Sequence, residues 1–223
     1  MGFAYILDNL RRNLENTFSQ MGFITDVEGD NYNCGGQRSV EITCLDPKEQ
    51  IYKWMVKNRP GDIYYFPYLN GGNGIGYVIV PKCVPDGTIV VTGGMNGCAL
   101  QVNMLDDRNL IFMHDQDAKA IAAPEGREQF ISRLNHDNGF DFKEADLTNS
   151  WRILCRVEPD HYMGVKSIYY NYQAERVHEL HPEKGSYMAY YPFFVKGEGM
   201  WRLYMSLVGT VGDKKSGPLF FYN

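Results

Sequence analysis

With 223 residues, 44% hydrophobic and 22% charged, the chain has the make-up of a soluble globular protein and can bury a substantial core. A net charge of −5 removes the basic footprint expected of a nucleic-acid binder. No apolar run approaches the roughly 20 residues needed to span a bilayer, so no membrane span is expected.

The first residues, Met1-Gly2-Phe3-Ala4-Tyr5-Ile6, lack the basic start, apolar centre and cleavage site of a secretory signal. The expectation is a cytosolic protein, or one exported by a route the sequence does not display. Five cysteines, at 34, 44, 83, 98 and 155, form no C-x-x-C pair. That argues against a disulfide framework and a structural zinc site, so reduced thiols are expected.

Residues 3–21 carry Ile6, Leu7, Leu10, Leu14, Phe18 and Met21 at three- and four-residue steps, which predicts an amphipathic helix. Short strands are expected at Phe23–Val27 and Arg38–Leu45. Asp46-Pro47 has the form of a helix start, which predicts a second helix carrying Ile51, Trp54 and Met55. Next come strands at Ile63–Phe66, Ile75–Val80, Thr88–Thr92, Cys98–Leu105 and Leu110–His114, punctuated by proline and glycine turns. A third helix is expected over 124–137, ended by Asn138-Gly139. Further strands follow near Trp151–Val157, Val165–Tyr172, Tyr187–Val195, Met200–Val208 and Leu219–Tyr222. Without an internal repeat or linker, residues 1–223 read as one domain. Its class would be α+β: an antiparallel, β-sandwich-like core with about three flanking helices.

Within that frame one unit carries chemistry. An apolar run to Thr92 enters Gly93-Gly94-Met95-Asn96-Gly97, and Cys98 stands on the far side. Side chains two apart share a face of a strand, so Cys98, Leu100, Val102 and Met104 group together, as do Leu110, Phe112 and His114. A three-residue loop at Asp106-Asp107-Arg108 would set an even register and place His114 opposite or diagonal to Cys98. A thiolate nucleophile beside a histidine base is the minimal machinery of cysteine acyl transfer. The glycine bend can turn the Gly97 and Cys98 amides toward an oxyanion. A third group must orient the imidazole. Thr92 is the nearest candidate, with Asp115 and Asp117 behind it.

Met95-Asn96-Gly97-Cys98, with His114 sixteen residues beyond the cysteine and Thr92 six residues before it, resembles the signature of the bacterial deamidase toxins. That family includes the cytotoxic necrotizing factor catalytic domain and Burkholderia lethal factor. Its motif is Leu-Ser-Gly-Cys, where this chain has Met95-Asn96 before Gly97-Cys98, and the stretch from cysteine to histidine is longer here than in the lethal factor. The resemblance implies a β-sandwich-like core with helices around it. It also implies a thioester mechanism without metal or cofactor, converting one exposed glutamine of a host protein to glutamate. The target would be a Rho-type GTPase or a translation initiation helicase. The resemblance further implies a protein made in the bacterial cytoplasm, exported, and active in the host cytosol.

The same residues suit a cysteine peptidase or a transglutaminase. From another class, a β-sandwich binding module with an inert Cys98 fits the aromatic-rich strands. Three other features read as structural. Asn70-Gly71-Gly72-Asn73-Gly74-Ile75-Gly76 precedes a strand, where a dinucleotide site needs a helix to follow. His178 and His181, with Glu179 and Glu183, lack a third metal ligand at a convincing spacing. Cys34 sits among glycines with no histidine on an adjoining strand.

Overall fold

A computed structural model describes residues 21–29, 35–47, 51–69, 74–95, 97–147, 151–159, 186–211 and 219–222, with five positions between 6 and 17. Twelve strands are described: β1 Gly22–Val27, β2 Gly36–Asp46, β3 Ile51–Lys57, β4 Ile63–Phe66, β5 Ile75–Pro81, β6 Ile89–Thr92, β7 Ala99–Met104, β8 Asn109–Asp115, β9 Ile153–Val157, β10 Ser186–Gly197, β11 Met200–Val211 and β12 Leu219–Tyr222. The one continuous α-helix among the described residues is α1, Pro124–Asn138, preceded by a 3-10 turn at Gln116–Ala118. A β-rich core was expected and is found, but with one continuous α-helix among the described residues rather than about three.

The predicted helix after Asp46-Pro47 is a strand. The three- and four-residue spacing of Ile51, Trp54 and Met55 masked a stronger alternation, in which Tyr52, Trp54 and Val56 are buried and Lys53 and Lys57 reach the other face. Those lysines pair across the sheet, Lys53 with Asp26 at 2.6 Å and Lys57 with Glu28 and Glu41 at 2.9 Å each. Of the predicted helix over 3–21, Ile6, Asp8, Asn9, Arg12 and Thr17 are helical, and the remaining positions up to 20 lie outside the described residues. The predicted strand at Val165–Tyr172, Cys34, and the histidines 161, 178 and 181 also lie outside them.

The strands form two sheets. The larger runs β1-β3-β2-β4-β6-β10-β11-β12, the smaller β5-β8-β7-β9. An antiparallel core was expected; two neighbouring pairs of the larger sheet, β1 with β3 and β4 with β6, are instead parallel. Both join strands that are not sequence neighbours, so local pattern cannot reveal their direction.

The larger sheet curls until its ends meet: β1 packs on β11, and the Phe23 amide donates to Ser206 Oγ at 2.7 Å. Inside the curl lie Phe23, Tyr52, Trp54, Tyr65, Val91 and Phe193. On its outer face Phe66, Val90 and Phe194 meet Leu100, Val102 and Phe112 of the smaller sheet. The far face of the smaller sheet, through Ile111 and Met113, carries Phe130, Ile131 and Leu134 of α1. That helix begins with Pro124 at its first turn and ends at Gly139, in the left-handed conformation at φ 68°, as the sequence predicts. The layers are therefore the curled larger sheet, the smaller sheet and the helix, with three apolar clusters between and within them.

Candidate active site

The hairpin of β7 and β8 sets the alignment. Leu105 donates to the Asn109 carbonyl at 3.1 Å, closing a three-residue loop at Asp106–Arg108. One oxygen of Asp106 accepts the Arg108 and Asn109 amides at 2.6 and 2.7 Å, and Asn109 Nδ2 donates to the other at 2.9 Å. These bonds hold the Asp106 carboxyl below its ordinary range against the opposing effect of partial burial. The resulting register pairs Met104 with Leu110, Val102 with Phe112, and Leu100 with His114. It is the even register that the sequence required. Cys98 lies one residue ahead of β7, outside the paired register, and is buried in the same cluster as Leu100; continuing the strand alternation would make it the diagonal neighbour of His114, a relation that spans roughly 7–8 Å between backbones.

That face looks into the layer between the sheets. Along β6 the same alternation turns Ile89 and Val91 into the curl and Val90 outward, and Thr92 follows Val90. Thr92 Oγ1 lies 2.9 Å from His114 Nδ1. The hydroxyl thus holds one ring nitrogen, while Nε2, fully buried, has no hydrogen-bond partner. The ring is set by aromatic neighbours, Tyr68 at 5.2 Å and Phe66 at 6.4 Å between centroids. Burial drives the His114 pKa down to about 3, so the imidazole is neutral at physiological pH; Nε2 is the acceptor nitrogen in the tautomer whose Nδ1–H donates to Thr92 Oγ1.

Of the candidate orienting groups, Thr92 meets the histidine and Asp115 does not. Asp115 sits on the opposite face of β8, where its carboxylate accepts the Ala120 and Ile121 amides at 2.8 and 3.1 Å. The Asp117 side chain lies outside the described atoms. Gly97 adopts φ +93°, a conformation that side chains resist, in the bend that delivers Cys98. Asn96 is outside the described residues.

Sequence reasoning missed Tyr68 and Gly76. Gly76 is the β5 partner of His114. A Cβ added there would collide with the Pro67 carbonyl, so the missing side chain lets the chain after β4 pass over β5 and bring Tyr68 to the imidazole. The signal was present in Asn70–Gly76, but as a close backbone approach rather than a nucleotide motif. Gly76→Ala is expected to destabilise the fold by about 1–3 kcal/mol through this overpacking, read as a lower thermal midpoint.

Among the described residues no group of three or more His, Cys, Asp or Glu side chains is arranged to hold a metal. Cys44, Cys83, Cys98 and Cys155 are all thiols. No described helix is long and apolar enough to cross a membrane. No protein-family model matches the chain, and no curated protein matches it.

Proposed function

We propose that the protein is a cysteine-dependent glutamine deamidase acting on a host protein. One observation carries the reading: Thr92 holds His114 at Nδ1 and leaves Nε2 without a hydrogen-bond partner among the described residues, in a ring whose strand partner Leu100 stands two residues from the buried Cys98. A histidine in a core for packing alone would not need a hydroxyl fixing one nitrogen while the other is buried without a partner, because that arrangement costs desolvation free energy.

In the proposed reaction, His114 Nε2 accepts the Cys98 thiol proton and the sulfur attacks the side-chain amide carbon. The backbone amides of Cys98 and Gly97 stabilise the oxyanion. His114 then donates its proton to the departing nitrogen, and ammonia leaves behind a thioester. Water, deprotonated by His114, attacks the thioester; its collapse frees glutamate and restores the thiol. Thr92 is a positioning residue that fixes the imidazole through Nδ1. Neither metal nor organic cofactor takes part.

The test is expression of wild type and Cys98→Ser in eukaryotic cells, followed by proteome-wide mapping of glutamine-to-glutamate changes. The expected result is a small set of glutamines, in a GTPase or helicase by the family resemblance, converted only by wild type. Cys98-dependent backbone cleavage would identify a peptidase instead, and amine adducts on glutamine a transglutaminase. No Cys98-dependent change of any kind would leave a binding module and sink the enzyme reading.

A further inference from the structure

At the β5 edge of the smaller sheet, β5 and the last turns of α1 border a cavity of about 410 Å³, a size ordinary for small-ligand sites. Leu69, Val78 and Ile79 supply apolar wall, and Arg133, Asp137 and Asn138 of α1 supply polar groups. Gly35 also lines it, packed so near β5 that an added Cβ would stand 2.2 Å from the Tyr77 carbonyl.

Two opposite charges border this cavity without meeting each other. Arg133 and Asp137 are four residues apart on α1, a spacing that suits an ion pair. Arg133 instead donates to the Ile75 carbonyl and lies over the Tyr77 ring, 5.6 Å from its centroid. Among the described residues no carboxylate forms an ion pair with it. One carbonyl leaves most of the five N–H donors of a guanidinium unspent. Burial pulls the Arg133 pKa below its ordinary value, as expected of a cation short of compensation. Asp137 accepts the Tyr77 hydroxyl at 3.0 Å and faces the exposed His136 at 3.2 Å, which leaves lone pairs to spare. Asn138 spends its amide N–H groups on the Tyr77 hydroxyl and the Leu134 carbonyl, each at 2.9 Å, so its Oδ1 remains an acceptor. Burial pushes the Tyr77 hydroxyl up to about 12, so it stays protonated and keeps its bond to Asp137.

A plain anion would satisfy the guanidinium but meet the Asp137 charge, and a plain cation would reverse the problem. A ligand with both charges on one small body answers both. We propose that this cavity binds a free α-amino acid with an apolar side chain. Its carboxylate would lie on Arg133, its ammonium between Asp137 and Asn138 Oδ1, and its side chain against Leu69, Val78 and Ile79. The site does not depend on the deamidase reading. It lies close to the candidate active site all the same, because Tyr68, between the lining residues Pro67 and Leu69, packs on the His114 ring at 5.2 Å.

The test titrates the full-length protein with a panel of free amino acids, followed by NMR at the Gly36, Tyr77 and Ile79 amides and at Arg133 Nε–H. Leucine and its apolar relatives should saturate these signals with a Kd of about 1 mM or tighter. Isocaproate, which is leucine without its ammonium, and isoamylamine, which is leucine without its carboxylate, should each bind at least about tenfold more weakly. Asp137→Asn should abolish the advantage of leucine over isocaproate, and Arg133→Met its advantage over isoamylamine. Isocaproate binding wild type as well as leucine does would overturn the proposal, as would saturation by no amino acid, or shifts confined to residues away from the cavity. If Arg133→Met does not fold, the comparison of the three ligands in wild type still decides. No arm reads activity, so a negative deamidase assay and a failure to bind amino acids are separate results.

Discussion

Replacing His114 with glutamine is expected to abolish turnover and, at the same time, to make the protein more resistant to acid. The two effects share a cause. In the folded chain burial lowers the His114 pKa to about 3, against about 6.5 in an unfolded chain. Between those values the unfolded state binds a proton that the folded state refuses, so stability falls as pH drops from 6.5 toward 3. The span corresponds to about 5 kcal/mol as an upper limit. Asp115 works in the opposite direction. Burial raises its carboxyl above the ordinary value, so its protonation favours the folded state as pH falls through the raised value. Glutamine at 114 leaves that contribution in place and removes the histidine's. Urea midpoints measured from pH 7 to 4 should therefore diverge, with wild type losing more than the variant. Parallel curves would show that His114 titrates normally. Loss of the base should lower turnover by about 10³-fold or more, measured on the identified target.

Trp54→Ala is expected to produce the largest loss of stability among single changes in the core. Trp54 is completely buried, and its ring meets Phe23 and Phe193 edge-on at 6.1 and 5.2 Å. Phe23 in turn contacts Phe193 at 5.5 Å, so three aromatic rings from β1, β3 and β10 brace one another inside the curl. Truncation would remove one corner of this triangle and leave a cavity that rigid strands cannot collapse to fill. The expected cost is about 3–5 kcal/mol, or roughly 10 °C in thermal midpoint for a chain of this size. A fall of only a degree or two would mean that the curl closes without Trp54.

Much of the site was legible because it is local. The loop chemistry of Asp106 and Asn109 sits inside the hairpin that aligns Cys98 with His114, so its even register could be deduced from neighbouring residues. Thr92 was legible because it is the nearest hydroxyl before the bend that leads to Cys98. The helix at 124–138 announced both of its ends. Trp54 illustrates the converse, because in a curled sheet both strand faces are partly covered and apolar residues fall at helical as well as alternating spacings. The parallel pairing of β4 with β6 and the approach of Tyr68 over Gly76 depend on segments far apart in the chain. No window of sequence around either residue contains that information.

The bond from the Phe23 amide to Ser206 Oγ spans 183 positions. A ribosome would therefore have to add 183 residues after Phe23 before β1 could find the neighbour that completes its enclosure. Until then the aromatic faces of β1 and β3 would stand open, a state that invites association with other nascent chains. High contact order of this kind also slows the final search. The yield of native protein should depend on how long β1 and β3 wait, and slowing synthesis of the stretch that leads to β11 should lower it.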